Sequence, residues 1–120
     1  MRKSVGSRIL AKSVAASASA LKAIDIKVLD LSKLSSFTDF FVIASGTSVR
    51  HIQSIAERIV RDQKLDHRLA IGIEGMERGG WILVDYGNVV AHIFLSDTRK
   101  FYNIEKLWGD ARRVNFKGIT

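Results

Sequence analysis

The sequence predicts a mixed α/β domain, a sheet of about five strands flanked by helices. Three observations predict it. Short runs rich in branched and aromatic residues interleave with stretches whose apolar residues recur every three or four positions. Gly-Asn, Gly-Thr-Ser and Ser-Asp-Thr clusters sit between them, where turns and helix starts are needed. The 120 residues suffice for one core, and a sheet with this many flanking helices buries its faces beneath them.

The first helix is expected over about residues 8–23, where Leu10, Val14, Ala18 and Leu21 fall on one face. Residues 1–22 also have the composition of a mitochondrial presequence, rich in Ala, Ser and basic residues and free of acids. They run into the next element without a linker, which favours a helix of the domain and a bacterial over an organellar setting. Residues 25–31 (DIKVLDL) alternate and read as a strand, and residues 32–38 as a turn. Residues 39–45 (DFFVIAS) form a continuous apolar run, the mark of a strand covered on both faces.

Gly46-Thr47-Ser48 opens a helix, with Thr47 or Ser48 as the cap. Ile52, Ile55, Ala56, Ile59 and Val60 make its apolar stripe, and it ends near Lys64. Residues 68–73 are a short strand and residues 74–80 (EGMERGG) a Gly-rich loop. Residues 81–95 (WILVDYGNVVAHIFL) read as a hairpin about Gly87-Asn88. Ser96-Asp97-Thr98 signals a cap for a helix over residues 99–108, which Gly109 ends. The expected organisation is a single domain over residues 1–111 and a loosely held basic tail over residues 112–120.

The net charge of +7 lies in the two ends. Residues 1–22 carry five basic residues and no acid, and residues 108–120 carry three against Asp110. The stretch between has 11 of each sign and is neutral. A neutral body argues against a dedicated RNA-reading face, while the ends remain able to draw the chain to an RNA-rich partner. There is no cysteine, which excludes disulfides and thiolate chemistry. No apolar run approaches the roughly 20 residues of a membrane-spanning helix.

No catalytic constellation is visible. SGTSVRH resembles a phosphate cradle only in outline and matches neither Gly-rich phosphate motif. Asp25, Asp30, Asp39 and Asp85 fall at or near strand ends without forming the paired carboxylates that magnesium chemistry needs. No nucleophile elbow is present, and His51, His67 and His92 have no spacing that favours a shared zinc. His51 reads as a solvent-facing helix residue and His67 as a loop residue. No catalytic residue, metal or cofactor is expected.

The hairpin is the informative element. A two-residue Gly87-Asn88 loop, with Gly first, pairs Asp85 with Val90, Val84 with Ala91, Leu83 with His92, Ile82 with Ile93 and Trp81 with Phe94. Alternation then gives one aliphatic face of Ile82, Val84, Val89, Ala91 and Ile93. The other face carries Trp81, Leu83, Asp85, Val90, His92 and Phe94, with Tyr86 free to lean either way. Either the last helix covers this second face, or part of it stays open to dock a protein. The pattern alone favours neither, and a one-residue slip would exchange the faces.

The chain resembles the ribosomal silencing factor family, also called Iojap. The resemblance rests on KAIDIKVLDLS, SSFTDFFVIASGTSVRHIQSIAERI, IEG, GGWILVDYGNVVAHIFL and TRKFYNIEKLWGDA, in order over about residues 20–111. It implies a nucleotidyltransferase-like fold that lacks the catalytic carboxylate cluster and is not an enzyme. It also implies docking on ribosomal protein L-fourteen of the large ribosomal subunit. A protein there blocks the small subunit sterically and represses translation, notably in starvation. Mitochondrial relatives assist large-subunit assembly.

The family's docking surface implies Trp81, Phe94 and Tyr86, at a position where relatives often carry Leu. Asp85, His92 and Arg99 are expected to add oriented polar contacts, although Arg99 has a second reading on its own helix and His92 beside Leu83. The basic ends are candidates for a peripheral contact with ribosomal RNA. A cytoplasmic monomer or weak homodimer without membrane association is expected. The competing expectation is a nucleotide-binding or nucleotidyltransferase-like enzyme using Gly46-Thr47-Ser48 with Asp30 and Asp39. A third is an RNA-binding module working through the basic ends.

Overall fold

A computed structural model of the chain describes residues 5–77 and 79–120. Arg2 and Lys3 of the basic N-terminal segment and Arg78 of the 74–80 loop lie outside those residues. The elements are α1 (Val5–Ala20), β1 (Ile24–Asp30), β2 (Phe40–Gly46), α2 (Val49–Leu65), β3 (Gly72–Glu74), β4 (Trp81–Asp85), β5 (Val89–Leu95), α3 (Ser96–Tyr102), α4 (Ile104–Leu107) and β6 (Arg112–Val114). The strands form one mixed sheet in the order β3-β4-β5-β2-β1-β6. β2 and β5 are parallel and every other neighbouring pair is antiparallel. A parallel join needs a crossover, and α2 supplies it.

α1 and α2 cover one face. α1 buries Leu10, Ala11, Val14, Ala15 and Ala18, so the expected stripe is the core-facing one and its alanines allow close approach. α2 buries Ile52, Ile55, Ala56, Ile59 and Gln63. Val60, at the edge of its stripe, is half-buried and packs against the core. Ser48 caps α2, its hydroxyl accepting from the His51 N–H at 3.0 Å. Ser17 Oγ donates to Asp62 Oδ2 at 2.8 Å and Gln63 Nε2 to Ser13 Oγ at 2.7 Å, tying α1 to α2.

Three elements differ from the sequence reading. The sheet has six strands rather than about five, because the tail expected to hang loose supplies β6. Val28 pairs with Val114, Leu29 with Arg113 and Asp30 with Arg112. Val114 and Phe116 are buried. Two apolar residues in so short a segment are too few to show a period.

The helix expected over residues 99–108 starts at Ser96 and breaks at Asn103, which sits at φ +44°. Asn tolerates that left-handed backbone better than most residues, and α4 restarts with Ile104 turned into the core. Ser96-Asp97-Thr98 therefore lies inside the first turn of α3, with Leu95 at the cap position and no side-chain cap. The strand expected over residues 68–73 reduces to Gly72–Glu74, and residues 68–71 approach it as irregular chain.

A candidate docking face on the second side of the sheet

The hairpin has the register expected of it, from Asp85 opposite Val90 to Trp81 opposite Phe94. Gly87 sits at φ +84° while Asn88 is not in the left-handed region, as a Gly-first two-residue turn requires. The Asp85 carboxylate accepts from the Gly87 N–H at 2.7 Å and braces the turn. Ile82, Val84, Val89, Ala91 and Ile93 face α1 and α2 in the main core.

On the second face, the registers of β4, β5 and β2 give three rows. One holds Trp81, Phe94 and Ser45, the next Leu83, His92 and Ile43, the third Asp85, Val90 and Phe41. α3 and α4 lie over part of this surface. Ile104 packs with Leu29, Leu31, Ile43 and Phe94, while Phe41, Trp81, Trp108 and Ala111 border that smaller core. The Trp108 ring meets Phe41 edge-on at 5.9 Å. Toward β4 the face stays open as a groove of about 580 Å³, with Phe41, Leu83, Val90 and His92 along it and Phe37, Thr38, Asp85 and Trp108 at its sides. The last helices cover one part of the face and leave the part toward β4 open.

Trp81 sits at the boundary. Its ring is 4.9 Å from Phe94 on one side and 4.9 Å from Tyr102 on the other. Its indole N–H donates to His92 Nδ1 at 3.1 Å. An indole N–H can only donate, so Nδ1 accepts and the neutral imidazole carries its proton on Nε2. Burial lowers the His92 pKa to about 4, so the ring is neutral at ordinary pH. Its Nε2 is buried without a hydrogen-bond partner among the described residues, and Phe41 packs against the ring at 4.4 Å.

Other expected contact residues lie elsewhere. Phe94 is 0% exposed and belongs to the core beneath Trp81. Tyr86 turns to the opposite face and joins the main core. Its hydroxyl has no partner among the described residues, and burial pushes its pKa up to about 12. It therefore does not extend the patch.

Arg99 is 7% exposed and is held by internal partners. It donates to Glu105 Oε1 at 2.8 Å and Ser45 Oγ at 2.8 Å, with the Asp25 carboxylate at 3.6 Å. Lys27 reaches the other Glu105 oxygen at 3.0 Å. Burial alone would raise the Glu105 pKa, but the hydrogen bonds and charges of Arg99 and Lys27 outweigh it and hold it below the ordinary value. Trp81, Asp85 and His92 are brought together on one face. Arg99 serves instead to pin α3 and α4 to β1 and β2.

Sequence reasoning missed three exposed aromatics. Phe37 is 91% exposed beside the groove, Tyr102 is 51% exposed against Trp81, and Phe101 meets Tyr102 edge-on at 5.0 Å. Phe37 falls in the expected turn over residues 32–38, and Phe101 and Tyr102 in the helix expected over residues 99–108. A large apolar residue within a turn is the signal that would have found the first.

The Gly46-Thr47-Ser48 turn is filled from within. The Thr47 N–H donates to His51 Nδ1 at 2.9 Å, and His51 Nε2 lies 2.7 Å from the Leu21 carbonyl. His51 is thus a half-buried link between α2 and the turn that follows α1, not a solvent-facing residue. A Cβ at position 46 would come within 2.7 Å of Ile52 and 3.0 Å of the His51 ring. Asp39 accepts from Ser7 Oγ and so ties the start of β2 to α1, while Asp30 accepts from Ser32 as a turn-bracing carboxylate does. Among the described residues, no group of three or more His, Asp or Glu is placed to hold a metal ion.

A family model described as "Ribosomal silencing factor during starvation" matches residues 5–120. The chain is 42% identical over 101 residues to the ribosomal silencing factor of Bacillus subtilis, covering 83% of this chain and 85% of the relative. It is 40% identical over 87 residues to the mouse protein named for mitochondrial assembly of the ribosomal large subunit, covering 70% of this chain and 38% of that one. A crystal structure from Chromobacterium violaceum superposes with a TM-score of 0.84 at 33% identity, over 100% of this chain and 97% of the other.

Proposed function

The chain belongs to the ribosomal silencing factor family, and from that premise we propose that it represses translation by occupying the large ribosomal subunit where the small subunit must join. The docking partner is ribosomal protein L-fourteen, and the contact surface is the open half of the second sheet face. One observation carries this reading. α3 and α4 leave a groove floored by Phe41, Leu83 and Val90 and flanked by the 91% exposed Phe37. An apolar floor, aromatic anchors and a few fixed polar groups are the make-up of a protein interface.

Trp81 and Tyr102 extend the surface, and Asp85 and His92 are the polar groups set into it. No bond is made or broken, because occupying a shared surface is enough. The filled Gly46-Thr47-Ser48 turn speaks against the nucleotide-binding alternative. The bacterial relative supports a cytoplasmic setting, and the mouse relative's name extends the reading to large-subunit assembly.

The test is co-sedimentation with purified large subunits at about physiological salt, alongside a subunit-joining assay. Leu83→Asp places a charge on the groove floor, and Phe37→Asp alters a side chain that packs on almost nothing. Wild type is expected to pellet and to suppress joining, with each variant losing at least about tenfold in affinity, the loss of roughly one anchor. Folded variants that pellet and silence like wild type would place the docking surface elsewhere.

A further inference from the structure

The excess charge of this chain lies in its two ends, and the fold brings those ends together. β6 runs beside β1 as the outer strand, which sets Arg112 and Arg113 on the far edge of the sheet. After β6 the chain turns back against α1, where the Arg8 guanidinium lies 5.1 Å from the centre of the buried Phe116 ring. Arg8 and Lys12 are exposed one helical turn apart on α1, and Arg112, Arg113 and Lys117 are exposed on and after β6. Arg8, Arg112 and Arg113 line a polar cleft of about 250 Å³ in which Asp30 is the one acidic lining residue. Arg8, Arg112 and Arg113 thus meet at one edge of a domain whose central stretch is neutral, with the exposed Lys12 one helical turn along α1 from Arg8 and the exposed Lys117 four residues beyond Arg113.

The chemistry of the edge selects its partner. Val114 and Phe116 are buried and Ile119 is half-buried against the core. Among the described residues that leaves Ile9 of α1 as a lone exposed apolar side chain next to these cations, too little to insert into a lipid surface or to anchor a protein. Nothing there offers a base a stacking platform either. What remains is a set of guanidinium and ammonium donors, and the guanidinium fork matches phosphate oxygens in pairs. The β6 edge stands four strand spacings from β4, about 19 Å, so one large particle can touch it and the hairpin groove together.

Resting on the ribosomal reading above, we propose that this edge, formed by Arg8, Lys12, Arg112, Arg113 and Lys117, binds the phosphate backbone of ribosomal RNA without reading its bases. It adds an electrostatic, salt-sensitive contact to the apolar docking of the hairpin face. Such a contact raises the rate of encounter and weakens as salt screens it.

The test uses the full chain carrying Arg112→Gln, Arg113→Gln and Lys117→Gln. Deletion of residues 112–120 is unsuitable, because it removes β6 and Phe116 from the core. Binding is measured to a duplex RNA of about 16 base pairs and to large subunits, between about 50 and 200 mM salt. Wild type is expected to bind the duplex with a steep salt dependence. The triple variant, with its unfolding midpoint unchanged, is expected to lose at least about tenfold at the low-salt end. Its log–log salt slope should fall by about two to three, roughly one per cation removed.

Equal duplex affinity and equal slope for the two proteins would overturn the proposal. So would binding to phosphatidylserine vesicles, lost in the variant, without duplex binding by wild type. Phe37→Asp separates the two readings. If it leaves large-subunit binding intact while the triple variant loses duplex binding, the RNA edge stands and the docking face falls. If it abolishes large-subunit binding while the triple variant matches wild type in both assays, the RNA edge falls alone.

Discussion

The Trp81 indole N–H donates to Nδ1 of His92 at 3.1 Å, and this one bond sets both the tautomer of the imidazole and the tilt of the indole. The indole ring is also held between Phe94 and Tyr102. Trp81→Phe keeps a ring in that stack and deletes the donor, leaving a buried Nδ1 without its partner. The expected cost is about 1–2 kcal/mol, read as a lower urea midpoint at unchanged slope. A variant as stable as wild type would mean that the bond contributes nothing. Trp81→Ala removes ring and donor together and should cost more. A loss of ribosome binding in Trp81→Ala therefore mixes stability with docking, which is why Phe37 and Leu83 are the cleaner probes of the face.

The buried His92 also gives the fold an acid-sensitive window. Its pKa is lowered from 6.5 to about 4 by burial, so between those values the unfolded chain binds a proton that the folded chain does not. Stability from the neutral ring is fully present above about pH 6.5 and is lost as the pH falls toward 4. The whole effect is roughly 3.5 kcal/mol, from the 2.5 pH units between 6.5 and about 4 at about 1.4 kcal/mol each. Glu105, held below its ordinary value, contributes stability that is lost only at still lower pH. His92→Asn leaves an acceptor near the Trp81 indole and cannot titrate. Thermal unfolding at pH 7 and pH 5 should show a clear drop for wild type and a much smaller one for His92→Asn. Equal drops would assign the acid sensitivity to other groups.

What the sequence made legible follows from which interactions are local. The hairpin register is fixed by a two-residue turn and a strict alternation, so every pair from Asp85–Val90 to Trp81–Phe94 was readable. The stripes of α1 and α2 were readable for the same reason. The bend at Asn103 was not, because Phe101, Ile104, Leu107 and Trp108 fit one continuous helix, and only the pull of Ile104 into the second core breaks it. β6 was hidden because its partner β1 is about 80 residues away in sequence, at Leu29 opposite Arg113. Arg99 was placed at the surface because its internal partners Ser45 and Glu105 become neighbours only once α3 is laid on β2. Both predicted faces of the hairpin exist, but which of their residues remain open was decided by α3 and α4.

Tyr86 is the position where the family resemblance and the geometry part most clearly, and the difference has a measurable consequence. The resemblance places it in the docking patch. The structure turns it into the main core, with its hydroxyl buried and without a hydrogen-bond partner among the described residues. Burying an unpaired hydroxyl costs free energy that a same-shaped apolar ring avoids. Tyr86→Phe is therefore expected to be neutral or to stabilise the fold by up to about 1 kcal/mol, measured by urea unfolding at pH 7. Because the ring does not face the groove, the same variant should co-sediment with large subunits as wild type does, while Phe37→Asp does not. A Tyr86→Phe chain that keeps its stability but loses ribosome binding would show that the hydroxyl turns outward to a partner. The docking patch would then run across the Gly87-Asn88 turn instead of stopping at Asp85.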